Sequence, residues 1–423
     1  MMKSNSSILW VAAMWEFETK AIHSGIDPEP ETGATKSPIH QSTAYSSETA
    51  QELEDIFKGQ KYGFYYSRVA NPTVANLESR INSLDEGMGS VAVSSGMAAI
   101  TTLIFALAAS GDHIIVSKSL FGSTYYLIRG LIKNSGINAT FVETTDISAY
   151  KSAIQDNTRL IFIEAIGNPK LDVPNIQDIA DIANSAKIPL VVDNTFVSPY
   201  LLNTKSFGAH IVINATTKYL CGGNSAVVGV ITDLGTFDWK QHRSIPIEEM
   251  KKFGQHAFIA AVKKVRSNSG CAMAPLTAFL TLTAIETLAI RMDRHSENAL
   301  KLATFLQGHH NITQVRYPGL ADYIHHETVK KQFPKGCSGM LTIRVGSQEK
   351  AYTVIDHLKL TDNSVNLGDS RTLAIHPGET IYRNLTEQEK EDAGVYPDLI
   401  RISVGLEHSN DIIADFEQAL EKI

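Results

Sequence analysis

Between Ser90 and Asp233, short runs of Val, Ile and Leu alternate with stretches whose apolar residues recur every three or four positions. The runs predict strands at Ser90–Ser95, His113–Ser117, Ala139–Glu143, Leu160–Ala165, Leu190–Asp193, Ile211–Ala215 and Val227–Thr232. Helices are predicted between them, over Met97–Ala109, Thr124–Asn134, around Ala149 and over Ile176–Ala186. Nearly continuous apolar strands joined by amphipathic helices imply a parallel sheet covered on both faces, an α/β domain.

The remainder lacks this rhythm. Residues 1–70, with Pro28, Pro30, Pro38 and many hydroxyl side chains, read as an extended arm. A long helical pattern from Pro275 to Leu306 leads into a smaller α+β unit with strands at Met340–Val345 and Leu399–Val404 and a C-terminal helix. The expected division is an arm over 1–70, an α/β domain over 71–265 and an α+β domain over 266–423. The apolar run Ile8–Trp15 has only Lys3 before it and no small-residue cleavage site, so it reads as a start-codon extension with Met14 as the candidate start. The basic piece Lys240–Arg266 reads as a solvated helix face.

Composition narrows the classes. Of 423 residues, 43% are hydrophobic and 20% charged, as in ordinary globular proteins. A net charge of −7 argues against a nucleic-acid partner. No stretch approaches the ~20 apolar residues of a membrane span. The three cysteines, Cys221, Cys271 and Cys337, form no CxxC and no disulfide framework, which suits a reducing cytoplasmic setting.

Ligands in open α/β sheets bind at the carboxyl ends of the strands, and three motifs sit there. Ser94-Ser95-Gly96-Met97 ends a strand and opens a helix, where free N–H groups suit a phosphate or simply a capped turn. Asp193 follows four apolar residues, a costly place for a carboxylate unless it holds a cation or caps a turn. Lys218 ends the run from His210, preceded by Thr216 and Thr217 and followed by Gly222-Gly223; it either snorkels or offers a free amine for Schiff-base chemistry. Taken together they supply a phosphate cradle, an acid for a pyridinium nitrogen and an amine for an aldehyde, the requirements of pyridoxal phosphate. No metal-ligand pattern accompanies them.

At these residues the chain resembles the Cys/Met-metabolism family of pyridoxal-phosphate enzymes. The resemblance runs from about Phe17 to Ile423. It includes Tyr66-Ser-Arg68-Val-Ala-Asn-Pro-Thr73, Ser95-Gly-Met97, Leu120-Phe-Gly122, Gly167-Asn-Pro169, Val192-Asp-Asn-Thr195, Thr217-Lys218-Tyr219, Pro318-Gly319-Leu320, His376-Pro377 and Arg401-Ile-Ser-Val-Gly-Leu-Glu407. It implies a fold-type-I PLP-dependent transferase fold (aspartate-aminotransferase-like), built as a homotetramer of close dimers with shared active sites. Lys218 would hold the cofactor and shuttle protons, and Asp193 would pair with the pyridine nitrogen. Gly96, Met97 and Thr217 would bind the phosphate, joined by Tyr66 and Arg68 of a neighbouring subunit. Thr195 and Phe121 would lie against the ring. Arg401, Asn168 and Asn366 would hold the amino acid substrate, Arg401 by clamping its α-carboxylate.

Some positions depart from the family's pattern. Ala215 stands where a phosphate-binding Ser is usual, Gly222-Gly223 where Gly-His is common, and the segment after His376-Pro377 ends in Tyr382 rather than His. Phe121 replaces a tyrosine that stacks on the cofactor, and Ser123 replaces the cysteine typical of methionine γ-lyases. The phrases Glu164–Val173, Gly235–Trp239 and Asn366–Asp369 look most like the O-acetylhomoserine sulfhydrylases. The resemblance thus implies γ-replacement on O-acetylhomoserine by sulfide or a small thiol, giving homocysteine or methionine. The alternative is a methionine γ-lyase, or a cystathionine γ-lyase or γ-synthase, the lyases releasing an α-keto acid and ammonia. Tyr62, Tyr65 and Tyr382 are candidates to supply the proton that Phe121 cannot.

Overall fold

The structure, a computed structural model, describes residues 15–26, 28–29 and 32–423. The run from Ile8 and the candidate start at Met14 lie outside the described residues, except Trp15. Seven strands form the larger sheet: β1 (Gly89–Val93), β2 (His113–Ser117), β3 (Asn138–Val142), β4 (Thr158–Glu164), β5 (Leu190–Asp193), β6 (Ile211–Asn214) and β7 (Gly229–Asp233). Their order is β1-β7-β6-β5-β4-β2-β3. The helices carry the caps their sequences encode: Asn71 with Pro72 opens Pro72–Leu84, Ser95 opens Gly96–Leu107, and Asn175 opens Ile176–Ser185. Ile161, Phe162, Ile163, Val191 and Val192 are almost wholly buried, as strands covered on both faces must be.

The sheet is mixed rather than purely parallel. β7 pairs antiparallel with both β1 and β6, whereas β6, β5, β4, β2 and β3 pair parallel. No crossover helix separates β6 from β7, only the turn that carries Lys218, so the chain must come back in the opposite direction.

A second sheet has the order β10-β11-β12-β9-β8, from β8 (Gln314–Arg316), β9 (Met340–Arg344), β10 (Asp362–Asn363), β11 (Leu373–Ile375) and β12 (Leu399–Ser403). It is antiparallel except for the pair β10 and β11. The helical pattern expected over Pro275–Leu306 is two helices, Pro275–Ile285 and Leu288–Gln307, meeting at 66°. Arg291 explains how the break is tolerated: its guanidinium donates to the carbonyl of Ala284 at 2.9 Å and also to those of Tyr219 and Leu220. The joint between the helices is therefore tied to the turn holding Lys218. Ala257–Ser269 packs on β1 and on Gly96–Leu107; Lys263 and Lys264 are solvated, but Arg266 is buried against Glu78 and the carbonyls of Val69 and Ala92.

The arm is less extended than its composition suggests, because it contains the helices Phe17–His23 and Ala50–Lys58. No single helix among the described residues is long and apolar enough to cross a membrane.

Candidate active site

A cavity of about 510 Å³ lies at the carboxyl ends of the parallel strands, roofed by the second sheet and its loops. Ten of the twelve residues singled out from the sequence line it: Gly96, Met97, Phe121, Asn168, Asp193, Thr195, Thr217, Lys218, Asn366 and Arg401.

Lys218 sits in the turn after β6. Its Nζ donates to Asn366 Oδ1 at 2.6 Å, and Asn366 in turn donates to Asn224 Oδ1 at 3.1 Å. Burial, followed by repulsion from Arg401, pushes the Lys218 amine down to about 8, so the free base is within reach near neutral pH. Asp193 ends β5. Among the described residues its carboxylate accepts only from Thr195, through both backbone N–H and hydroxyl, and the Thr195 hydroxyl also accepts from the N–H of Ala215 at 2.8 Å. Burial pushes the Asp193 carboxyl up to about 6. No cationic side chain pairs with it among the described residues, so it is a carboxylate that a cationic ring nitrogen would satisfy.

Arg401 lies on β12 and is 1% exposed. Its Nη1 donates to Asn168 Oδ1 at 3.3 Å, and its Nη2 donates to the carbonyls of Val365 and Asn366 at 3.0 and 3.3 Å. Every one of those acceptors is neutral, and no carboxylate pairs with the guanidinium among the described residues. A buried cation in that state calls for an anionic ligand.

At the far side, Ser95 caps the helix Gly96–Leu107 by accepting from the N–H of Ala98, which leaves the N–H groups of Gly96 and Met97 without intrahelical acceptors. A Cβ on Gly96 would lie 2.5 Å from the side chain of Ala215, so only glycine keeps this corner open. The corner suits a phosphate. Ala215 offers it no hydroxyl, and the Thr217 hydroxyl is engaged with the backbone of Val228. The open helix terminus, the Asp193 carboxylate with no cationic partner among the described residues, and the lowered Lys218 amine together fit pyridoxal phosphate.

Tyr66 and Arg68 do not reach this cavity. Arg68 donates to the carbonyl of Ser267 at 2.7 Å and lies over the Tyr66 ring. Both line a separate cavity of about 540 Å³, together with Tyr45, Leu53, Phe57 and Tyr65. The three tyrosines offered as proton donors are also elsewhere. Tyr62 is 80% exposed and Tyr65 belongs to the second cavity, while Tyr382 is fully buried with its hydroxyl donating to the carbonyls of Asn168 and Leu120. Tyr382 does not line the cavity, and burial and the nearby Glu164 push its phenol well above its usual range.

Asn224 and Glu164 also line the cavity, with no role read into them from the sequence. Asn224 extends the Lys218–Asn366 chain of hydrogen bonds. Glu164 ends β4 in register with Asp193. The signal for Glu164 was present, since it ends the apolar run from Leu160 just as Asp193 ends its own.

Comparison with known proteins finds relatives along almost the whole chain. Homocysteine synthase of Schizosaccharomyces pombe is 37% identical over 421 residues, spanning 96% of this chain and 98% of that protein. The O-acetyl-L-homoserine sulfhydrylase of Leptospira meyeri is 37% identical over 428 residues, spanning 96% of this chain and 97% of its own. A crystal structure described as an O-acetylhomoserine (thiol)-lyase from Campylobacter jejuni superposes with a TM-score of 0.93 at 33% identity, covering 96% of this chain and all of that one. That protein carries N'-pyridoxyl-lysine-5'-monophosphate at its position 205. The family profile described as Cys/Met metabolism PLP-dependent enzyme matches residues 18–421, and the chain belongs to that family.

Proposed function

We propose that the chain catalyses γ-replacement on O-acetylhomoserine, with sulfide or a small thiol as the incoming nucleophile and homocysteine or methionine as product. The relatives named above support the reaction class. The observation that carries the choice within the family is Phe121, because no tyrosine lines the cavity among the described residues.

Pyridoxal phosphate, when bound, supplies an aldehyde for the substrate amine and a ring that accepts the electron pair of the broken Cα–H bond. Lys218 is the base at Cα, and Asn366 steers its Nζ. Asp193, oriented by Thr195, supplies the negative charge that keeps a ring nitrogen protonated. Arg401 and Asn168 seat the α-carboxylate, while Gly96, Met97 and Thr217 hold the phosphate end. Departure of acetate from Cγ needs little help, because its conjugate acid resembles a side-chain carboxyl of pKa ~4. A thiolate, with pKa ~8.5, depends far more on an acid in the site.

Phe121→Tyr therefore should raise elimination from methionine or cystathionine by at least ~10-fold, while changing acetate-dependent replacement much less. The deciding assay runs O-acetylhomoserine plus sulfide beside O-succinylhomoserine plus sulfide and methionine alone, with keto acid and homocysteine both quantified. Faster breakdown of methionine than conversion of O-acetylhomoserine would replace this reading with the lyase.

We further propose that Tyr66 and Arg68 complete the cavity of a second copy within a homotetramer, and that the protein works in the cytoplasm. Exposed Tyr66 and Phe57, gathered around the second cavity, support the first, and the free Cys221, Cys271 and Cys337 are in keeping with the second. Mixing Arg68→Ala subunits with Lys218→Ala subunits should restore roughly a quarter of wild-type sites, those that draw both wild-type residues from different chains. Mixtures no more active than their components would rule out shared sites.

A further inference from the structure

We propose that Glu164 and Tyr382 are positioning residues, an acceptor and a donor that together fix the turn at Phe121 against the turn at Asn168 and so set the affinity for the amino acid substrate. The two turns follow different strands, β2 and β4, and nothing in the sheet ladder fixes their separation beyond the strand ends. Glu164 spans them from below: Oε1 accepts from the N–H of Phe121 at 2.7 Å and Oε2 from the N–H of Asn168 at 3.1 Å. Tyr382 spans the same turns through their carbonyls, donating to Asn168 O at 2.8 Å and Leu120 O at 3.3 Å. Gly122 permits this approach, since a Cβ there would lie 2.7 Å from the carbonyl of Ile381.

What the pair holds is chemically specific. Phe121 forms one wall of the cavity, and the Asn168 side chain accepts from Arg401 at 3.3 Å. Moving the Asn168 turn therefore moves the acceptor that orients the Arg401 fork. Burial, and then the register partner Asp193, push the Glu164 carboxyl well above the usual carboxylate range, and the two N–H groups it accepts oppose that push.

This inference rests on Arg401 and Asn168 being the seat of the substrate carboxylate, and the experiment separates the two. Holoenzyme variants Glu164→Gln, Tyr382→Phe and Arg401→Lys are titrated with L-norvaline, which has the α-carboxylate but no γ leaving group, and binding is read from the cofactor's visible absorption. Cofactor affinity, melting temperature, kcat and KM are measured alongside. Glu164→Gln and Tyr382→Phe are each expected to weaken norvaline binding roughly 10-fold, with a matching rise in KM. Cofactor affinity and kcat should stay within about 3-fold. If Glu164→Gln does not fold, Tyr382→Phe, which deletes one oxygen, carries the test alone. Norvaline binding within 2-fold of wild type in the folded variants, or cofactor affinity falling in parallel with it, overturns the proposal. Weakening by Arg401→Lys but by neither of the others refutes the positioning role alone. An unaffected Arg401→Lys refutes the carboxylate seat on which it rests.

Discussion

Lys218→Ala is expected to reduce turnover of O-acetylhomoserine by on the order of 10⁴-fold or more while leaving the fold intact. The loss follows from the absence of a substitute base. The other titratable side chains on the cavity wall are Glu164, Asp193 and Arg401. Glu164 is occupied by two backbone N–H groups, Asp193 is held by Thr195, and a guanidinium is no base. The intact fold follows from the lysine's surroundings. Its amine makes one side-chain hydrogen bond, to Asn366, and faces an existing cavity, so truncation opens no new void in packed core. The variant should bind the cofactor without its colour becoming fixed by borohydride, and its melting temperature should stay close to wild type. Activity within 10-fold of wild type would end the assignment of Lys218.

The second large effect is expected at Arg401. Replacement by Lys keeps the charge but loses the planar fork, which here divides its donors among Asn168, Val365 and Asn366. An ammonium cannot reach those acceptors and a substrate carboxylate together. The KM for O-acetylhomoserine should rise roughly 100-fold, and kcat should fall less, because the lost contact is made before the Cα–H bond breaks. Steady-state kinetics decide it. A variant with unchanged KM and depressed kcat would assign Arg401 to the reacting atoms instead of the carboxylate seat.

How much of this could be read from the chain depends on what kind of interaction decided each feature. The strands His113–Ser117 and Leu190–Asp193 match their sequence runs end to end, because double-sided burial leaves a simple apolar signature. Lys218 and Asp193 were legible for the complementary reason, being charges where burial should forbid them. The reversal of β7 was not, since strand direction is set by the length of the connection and not by the strand's own residues. The break at Thr287 was hidden too, as the apolar pattern continues through it and two of the three carbonyls that Arg291 holds, those of Tyr219 and Leu220, lie far off in the chain. Tyr382 looked like a proton donor because a tyrosine's chemistry is visible in sequence, whereas the carbonyls that occupy its hydroxyl are not. Glu164 was passed over although it obeys the rule that exposed Asp193. Its partners are backbone N–H groups of Phe121 and Asn168, and backbone donors leave no mark on composition.

The anchoring of the turn around Lys218 has a consequence for the order in which the protein is made. Tyr219, next to the lysine, accepts hydrogen bonds from Ser338 and from the N–H of Gly339, and its carbonyl is held by Arg291. All three partners emerge from the ribosome well after β6. A nascent chain can close most of the large sheet while the lysine turn still lacks its supports and β12, with Arg401, has not been synthesised. Under the proposed function, the seat for the substrate carboxylate would thus arrive late in translation, after the sheet that presents the amine has already formed.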